Sequence, residues 1–192
     1  MNHHGYRVAI ALGLVLLLGA LPASAALVIN EIDYDQPSTD AAEFIELYNS
    51  GPDAIGLLGY TVDLINGTGG GAALYQSIPL PDQTLLPGEF FVICANAATC
   101  INCNLDVTPE ENLIQNGAPD AVGLLFEGTV VDAVSYEGDT GAPYTEGSGV
   151  GLEDPAGDYL GIGRYPDGTD TDVNNVDFVG ACVTPGMPNI TQ

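Results

Sequence analysis

Cationic side chains are almost missing from this chain. Its 192 residues include 26 Asp and Glu, but the only Lys or Arg residues are Arg7 and Arg164. Nucleic-acid binding depends on Lys and Arg displacing counterions from phosphates, and anionic lipid headgroups attract basic segments rather than acidic ones. We therefore expect neither nucleic acid nor a membrane surface as a partner. Repulsion among so many carboxylates also disfavours compaction, and salt or bound divalent cations would relieve it.

Side chains that commonly act in catalysis are also scarce. The two histidines, His3 and His4, lie at the amino terminus, and the chain has no tryptophan. Without histidine or lysine in the rest of the chain, the usual general base at neutral pH and the usual amine nucleophile are missing. No GxSxG, HExxH or phosphate-loop motif occurs. Two carboxylates alone could hydrolyse glycosides, but nothing selects a pair, so we expect no enzymatic activity.

The amino-terminal residues have the pattern of a secretory signal peptide. Arg7 precedes an apolar run from Val8 to Leu21, and Ala23-Ser24-Ala25 supplies the small residues that signal peptidase accepts. An uncleaved anchor is the alternative, although the run is short for a membrane span. We predict a signal peptide over 1–25, one domain over 26–192, and a secreted protein, extracellular or periplasmic. Residues 26–192 then carry a formal charge of 1 − 26 = −25.

The remaining sequence has the pattern of short strands separated by turn residues. Predicted strands cover 27–35, 43–50, 59–65, 73–80, 89–95, 121–126, 129–136 and 159–165. The apolar run 89–95 is typical of a central strand buried on both faces, and Thr108-Pro109-Glu110-Glu111 has the sequence of a helix start. About seven to nine strands with frequent turn signals predict an all-β fold, a β-sandwich with long loops.

Four cysteines in an exported chain predict two disulfides. Of the three possible connectivities, we favour Cys94 with Cys103, which would clip the loop after the 89–95 strand. Cys100 with Cys182 would then tie the carboxyl-terminal segment to the domain. The alternative is that Cys100-Ile101-Asn102-Cys103 is a redox or zinc CxxC motif, but no second CxxC or nearby histidine accompanies it.

An acidic loop near the carboxyl terminus is the best candidate for a ligand site. Its sequence, DGTDTDVNNVD, resembles a calcium loop in its alternating Asp and Asn residues, and oxygen ligands suit Ca²⁺. The predicted ligands are Asp167, Asp170, Asp172, Asn174 and Asp177. The loop lacks the Gly and Glu that an EF-hand has at its sixth and twelfth positions. The alternative is a structural loop in which these side chains bond their own backbone.

Arg164 is the one cation left among 26 carboxylates once the first 25 residues are removed. An arginine in such surroundings should make a forked contact with carboxylates. The sequence-based candidates for its partners are Glu31 and Glu46 of the first two strands, or Asp177. We predict a structural ion pair that fixes the fold.

Two blocks of sequence resemble the bacterial lamin-tail domain family. The first comprises Ile29-Asn30-Glu31-Ile32, DAAEFIELYN over 40–49 and LLGY over 57–60. The second, near the other end of the chain, comprises GRYPD over 163–167, Asp170 to Asp172, Asn174, Asp177-Phe178 and Thr184-Pro185-Gly186 to Asn189. Together they bracket residues 27–189. The resemblance implies an immunoglobulin-like β-sandwich of lamin-tail type without a settled biochemical activity.

The expected function follows from the predicted export, the fold and the scarcity of catalytic groups. We expect a non-catalytic adhesion or protein-interaction module whose partner is a protein or a cell-surface component. A calcium-dependent structural or binding protein that uses the 167–177 loop is one alternative. Because lamin-tail-like domains often accompany nucleases, an accessory unit of a secreted hydrolase or nuclease system is another.

Overall fold

The protein is a β-sandwich. The structure, a computed structural model, describes Met1 and residues 26–69, 71–157 and 159–191, so the predicted signal peptide lies almost entirely outside the described residues. The strands are β1 (Leu27–Asp33), β2 (Phe44–Asn49), β3 (Ile55–Gly56), β4 (Tyr60–Asn66), β5 (Ala73–Pro79), β6 (Thr84–Leu85), β7 (Phe90–Cys94), β8 (Leu105–Asp106), β9 (Asp120–Phe126), β10 (Thr129–Tyr136), β11 (Leu160–Arg164), β12 (Phe178–Cys182) and β13 (Ile190–Thr191). One short helix, α1 (Asn174–Asp177), precedes β12.

Two sheets form the sandwich. The larger has seven strands in the order β13-β12-β11-β1-β2-β7-β8, and the smaller has four in the order β10-β9-β4-β5. A further two-stranded ladder joins β3 to β6. Neighbouring strands are antiparallel except β7 and β8. This arrangement confirms the predicted immunoglobulin-like, all-β class.

Aliphatic residues that alternate along the central strands fill the space between the sheets. Ile29 and Leu47 from the larger sheet belong to one buried cluster with Val62 and Leu124 from the smaller sheet. Each is fully buried, and burying such a side chain contributes about 1.5–3 kcal/mol relative to leaving it exposed. The period-two pattern that identified these strands in the sequence is therefore the pattern that builds the core.

The outer face of the larger sheet is also covered. Every residue of β1 is buried, including the polar Asn30, Glu31 and Asp33. The carboxyl-terminal segment lies over this face, where Asn189 Nδ2 donates to Asn30 O at 3.2 Å. Polar side chains of β1 and β2 also bond to this segment, since Glu31 accepts from Thr184 N and Glu46 accepts from Gly186 N.

The apolar run at β7 is buried at four of its five residues, as predicted, but the strand lies near the end of the sheet, because only the two-residue β8 lies beyond it. Two other local predictions were wrong. β11 is not the last strand, because β12 and β13 extend the larger sheet after it. Residues 108–111 are not helical, and the segment that follows is held by Glu43, whose carboxylate accepts from the N–H groups of Leu113 at 2.6 Å and Ile114 at 3.0 Å.

Helices contribute little to the part of the chain that the structure describes. The helix α1 has four residues. Within the described ranges, no helix is long and apolar enough to cross a membrane.

Candidate functional site

A buried arginine joins the two sheets. Arg164 ends β11 with its side chain fully buried. Its Nε donates to Ile29 O at 2.8 Å, and its Nη2 donates to Asp132 Oδ1 at 2.8 Å. The other oxygen of Asp132 accepts from Ile29 N at 2.6 Å. Because β1 and β11 belong to the larger sheet and β10 to the smaller, this closed set of bonds connects the sheets through the interior.

The same arginine holds the acidic loop. Its Nη1 donates to Thr169 O at 2.6 Å and to Asp177 Oδ2 at 3.2 Å, and it lies 3.5 Å from Asp170 Oδ1. Its guanidinium carbon lies 4.6 Å from the centre of the Phe178 ring. One cation therefore contacts carboxylates from a strand, a loop and a helix. Burial raises the pKa of Asp132, while the adjacent charge of Arg164 and the bond from Ile29 N act to lower it.

The predicted partners Glu31 and Glu46 are corrected, because neither contacts Arg164. Glu31 accepts from Thr184 N at 2.9 Å, and Glu46 accepts from Gly186 N at 2.6 Å and from Asn30 Nδ2 at 2.9 Å. These two glutamates fasten the carboxyl-terminal segment to the sheet. The guanidinium is instead directed between the sheets, towards Asp132.

Burial shifts the acidity of these glutamates. Desolvation, with the nearby Glu46 charge, raises the pKa of Glu31 to about 9. Desolvation also raises the pKa of Glu46 to about 7, although its bonds from Asn30 and Gly186 oppose the shift. Around neutral pH, this face therefore holds protons that an unfolded chain would release.

The five predicted calcium ligands do not converge on one point. Asp167 Oδ1 accepts from Asn30 Nδ2 and from Asn189 N, each at 3.0 Å. Asp170 and Asp177 contact Arg164 as described, and Asp172 is exposed. The loop therefore resembles the structural alternative of the sequence analysis, with its carboxylates bonded to neighbouring parts of the chain.

Asn174 turns away from that loop towards β10. Its Oδ1 accepts from Ser135 N at 3.2 Å, and its Nδ2 donates to Ala133 O at 2.8 Å. Glu146 Oε1 accepts from Ala133 N at 3.2 Å beside them. Since β10 is the outer strand of the smaller sheet, these two side chains occupy hydrogen-bonding positions that a further strand would use. We call this arrangement the capped edge.

Three carboxylates in this region have the spacing of metal ligands. Ligand atoms of Asp132, Glu146 and Asp170 all lie within 4.8 Å of one another. Desolvation raises the pKa of Glu146 to about 8, and the charges of Asp132 and Asp170 add to the shift. Of the three, the sequence pattern indicated only Asp170, because Asp132 follows the alternation of an ordinary strand and Glu146 lies in a glycine-rich loop. Each carboxylate already accepts a hydrogen bond within the protein.

One of the two predicted disulfides is present. Cys94 and Cys103 form the predicted disulfide, with their Cα atoms 5.8 Å apart. The second predicted bridge is corrected, because Cys100 and Cys182 are both free. Val183, rather than its neighbour Cys182, packs against the buried cluster that contains Cys100. Successive side chains point in different directions here, so Val183 faces the Cys100 cluster and Cys182 does not.

A cavity of about 450 Å³ lies beside this cluster. Its lining includes Asp33, Phe44, Cys100, Tyr159 and Pro185. Desolvation raises the pKa of Asp33 to about 8 and that of the Cys100 thiol to about 12. A thiol with such a pKa is a poor nucleophile at neutral pH, because the thiolate is the reactive form.

Comparison with known families agrees with this architecture. The family model for the Lamin Tail Domain matches residues 21–138, which is more than half of the 192 residues and includes all strands from β1 to β10. Arg164 and the segment from 167 to 189, which carries the second block of resemblance, lie beyond the matched range. A search of curated proteins finds no match. The chain belongs to the Lamin Tail Domain family, an immunoglobulin-like, generally non-catalytic class of domain.

Proposed function

We propose that this protein is an exported, non-catalytic interaction module that holds a protein or cell-surface partner. The observation that carries the proposal is that the buried polar side chains form hydrogen bonds within the protein. Among the described residues, no buried side-chain nitrogen or oxygen is without a hydrogen-bond partner. The conspicuous cluster around Arg164 fastens sheets and loops together, and such bonding stabilises a scaffold rather than a reacting substrate.

The residue composition and the disulfide support the same function. The chain from residue 26 onward contains no histidine or lysine, so it lacks the groups that usually transfer protons or attack carbonyls near pH 7. The Cys94–Cys103 disulfide suits an oxidising compartment outside the cytosol. An acidic exterior would keep such a module away from nucleic acid and anionic lipid.

Binding of labelled protein to the producing cells tests this proposal. Residues 26–192, fluorescently labelled, should bind intact cells or isolated surface material in a saturable manner. An unrelated β-sandwich with the same net charge serves as the control for non-specific effects. Binding no greater than that of the control would refute the function, as would turnover of the surface material by the purified protein.

A calcium-dependent role is the second candidate, and the spacing of Asp132, Glu146 and Asp170 favours it. Carboxylate oxygens are the ligands that Ca²⁺ prefers, but here the ion would compete with Arg164. If this site binds calcium, adding Ca²⁺ after EDTA treatment should raise the melting temperature. Asp170→Asn should abolish that rise, whereas Asp172→Asn, at an exposed position outside the trio, should preserve it. Identical melting temperatures with EDTA and with Ca²⁺ would eliminate this candidate.

A further inference from the structure

The two sheets have four edge strands, and these differ in how readily another chain could pair with them. In the larger sheet the outer strands β13 and β8 have two residues each. In the smaller sheet the outer strands are β10, which forms the capped edge, and β5, which has seven residues. Long exposed edges are templates for pairing with another chain, and proteins usually shorten or cover them. By this measure β5 differs from the other three.

The backbone geometry shows which groups of β5 face outward. Leu80 N donates to Tyr60 O at 3.0 Å, and bonded pairs alternate along an antiparallel ladder. Ile78, opposite Val62, and Gln76, opposite Leu64, therefore bond to β4. Ser77 lies between these bonded residues, so its N–H and C=O point away from the sheet. Pro79 has no N–H and closes one end of the available edge.

Within the described part of the chain, no side chain caps this edge as Asn174 and Glu146 cap β10. Among the hydrogen bonds of the described residues, none reaches the backbone N–H or C=O of Leu74, Tyr75 or Ser77 from outside the β4–β5 ladder. Leu74 is 55% exposed and Ser77 is exposed. We call Leu74 to Ser77 the open edge.

The charge pattern around the open edge indicates what it pairs with. Residues 64–81 contain no charged side chain, although 26 acidic residues occur in the chain. Beyond this neutral stretch, Gln76 Nε2 donates to Thr108 O at 2.9 Å, and the exposed Glu110 and Glu111 follow Thr108. A neutral strand therefore lies beside an acidic loop. A second copy of the chain would bring another large negative charge to the same place.

We propose that the open edge binds an extended segment of another protein by adding a strand to β5, and that the segment is uncharged at its centre and carries Lys or Arg at its ends. Backbone hydrogen bonds to the open edge supply the pairing, as in other cases of strand addition. The cationic ends lie near Glu110 and Glu111, and the negative field of the domain speeds their approach. This inference rests on the proposed interaction function and adds its surface and the class of its partner.

A synthetic peptide tests the inference directly. We would titrate isotopically labelled residues 26–192 with the peptide Lys-Lys-Thr-Val-Thr-Val-Thr-Lys-Lys and record amide NMR shifts. The expected result is saturable shifts centred on the open edge, with none along the capped edge. The same peptide with Glu in place of Lys should bind at least tenfold more weakly. Shifts centred on another surface, or equal affinity for both peptides, would overturn the proposal.

Matched variants separate strand addition from general attraction to an acidic protein. Ser77→Pro removes the outward N–H and should abolish binding. A second pair of variants does not depend on how the proline is tolerated, because it keeps the backbone intact. Leu74→Lys should weaken binding by at least threefold, and Leu74→Glu should strengthen it by at least threefold. Leu58→Lys changes the net charge equally at another exposed leucine and should leave affinity unchanged. Equal effects of Leu74→Lys and Leu58→Lys would refute the inference.

Two further outcomes distinguish this inference from the broader function. If the chain dimerises through β5 in sedimentation experiments, the open edge binds a second copy and the inference is wrong. If folded Leu74→Lys and wild-type protein bind the producing cells equally, the surface is wrong while the interaction function stands. Loss of cell binding by the Leu74→Lys variant alone, with Leu58→Lys unaffected, would support both.

Discussion

The two outer strands of the smaller sheet differ in the hydrogen-bond partners of their outward backbone groups. At β10, Asn174 and Glu146 bond to outward groups of Ala133 and Ser135. At β5, Ser77 has no such partner among the described residues. The capped edge also lies next to the Arg164 cluster, whereas the open edge lies in an uncharged stretch. Among the described residues, polar side chains thus complete the backbone hydrogen bonding of β10, whereas the outward backbone groups of β5 remain available to another chain.

The largest expected effect comes from removing the cation that anchors the capped edge. Arg164→Ala leaves the buried Asp132 and Asp177 without their counterion, and breaking a buried ion pair in this way costs about 3–5 kcal/mol. The free energy of unfolding, measured by urea denaturation, should fall by that amount. Asp82→Asn, an exposed change at the border of the uncharged stretch, should alter it by less than about 0.5 kcal/mol. Equal stabilities of the Arg164 variant and wild type would contradict a structural role for the cluster.

Raising the pH should destabilise the folded protein through its buried carboxyl groups. Burial raises the pKa of Glu31 to about 9 and those of Asp33 and Glu43 to about 8. The folded protein therefore holds more protons than the unfolded chain between about pH 4 and pH 9, and its stability falls as pH rises through that window. We expect a melting temperature several degrees lower at pH 8.5 than at pH 5.5, at constant ionic strength. A melting temperature that rises with pH would show that these carboxyls are ionised in the folded state.

A smaller effect is expected from uncapping β10. Asn174→Ala removes the partners of Ser135 N and Ala133 O, and leaving such buried groups unsatisfied costs about 1–3 kcal/mol. Urea denaturation measures the loss, and Val176→Ala, at a position of α1 that is 67% exposed, is the matched control. If both variants lose the same stability, Asn174 does not act as a cap.

The sequence predicted the sandwich because its inward residues follow strand periodicity. Val62 and Leu64 on β4, like Val122 and Leu124 on β9, alternate with residues on the other face and are all fully buried. Such a pattern depends only on neighbours along the chain. The predicted strands 121–126 and 129–136 form β9 and β10, which pair as an antiparallel hairpin through Glu127-Gly128.

The functional region was predicted less well because its partners are distant in sequence. Arg164 lies 32 residues from Asp132, and Ser135 lies 39 residues from Asn174. Nothing in the local pattern around Asp132 distinguishes it from a solvent-facing strand aspartate. The attachment of Glu31 to Thr184 spans 153 residues, so the predicted Glu31–Arg164 pair could be corrected only once the carboxyl-terminal segment was placed over the sheet.

Amide hydrogen exchange of the two edges in a single sample of the free protein tests the central comparison most directly. Exchange is slow where an amide is buried and hydrogen-bonded, and fast where it is open to solvent. We expect the Ser135 N–H, bonded to Asn174, to exchange orders of magnitude more slowly than the outward Ser77 N–H. Equal protection of the two amides, or slower exchange at Ser77, would contradict the distinction between a capped and an open edge.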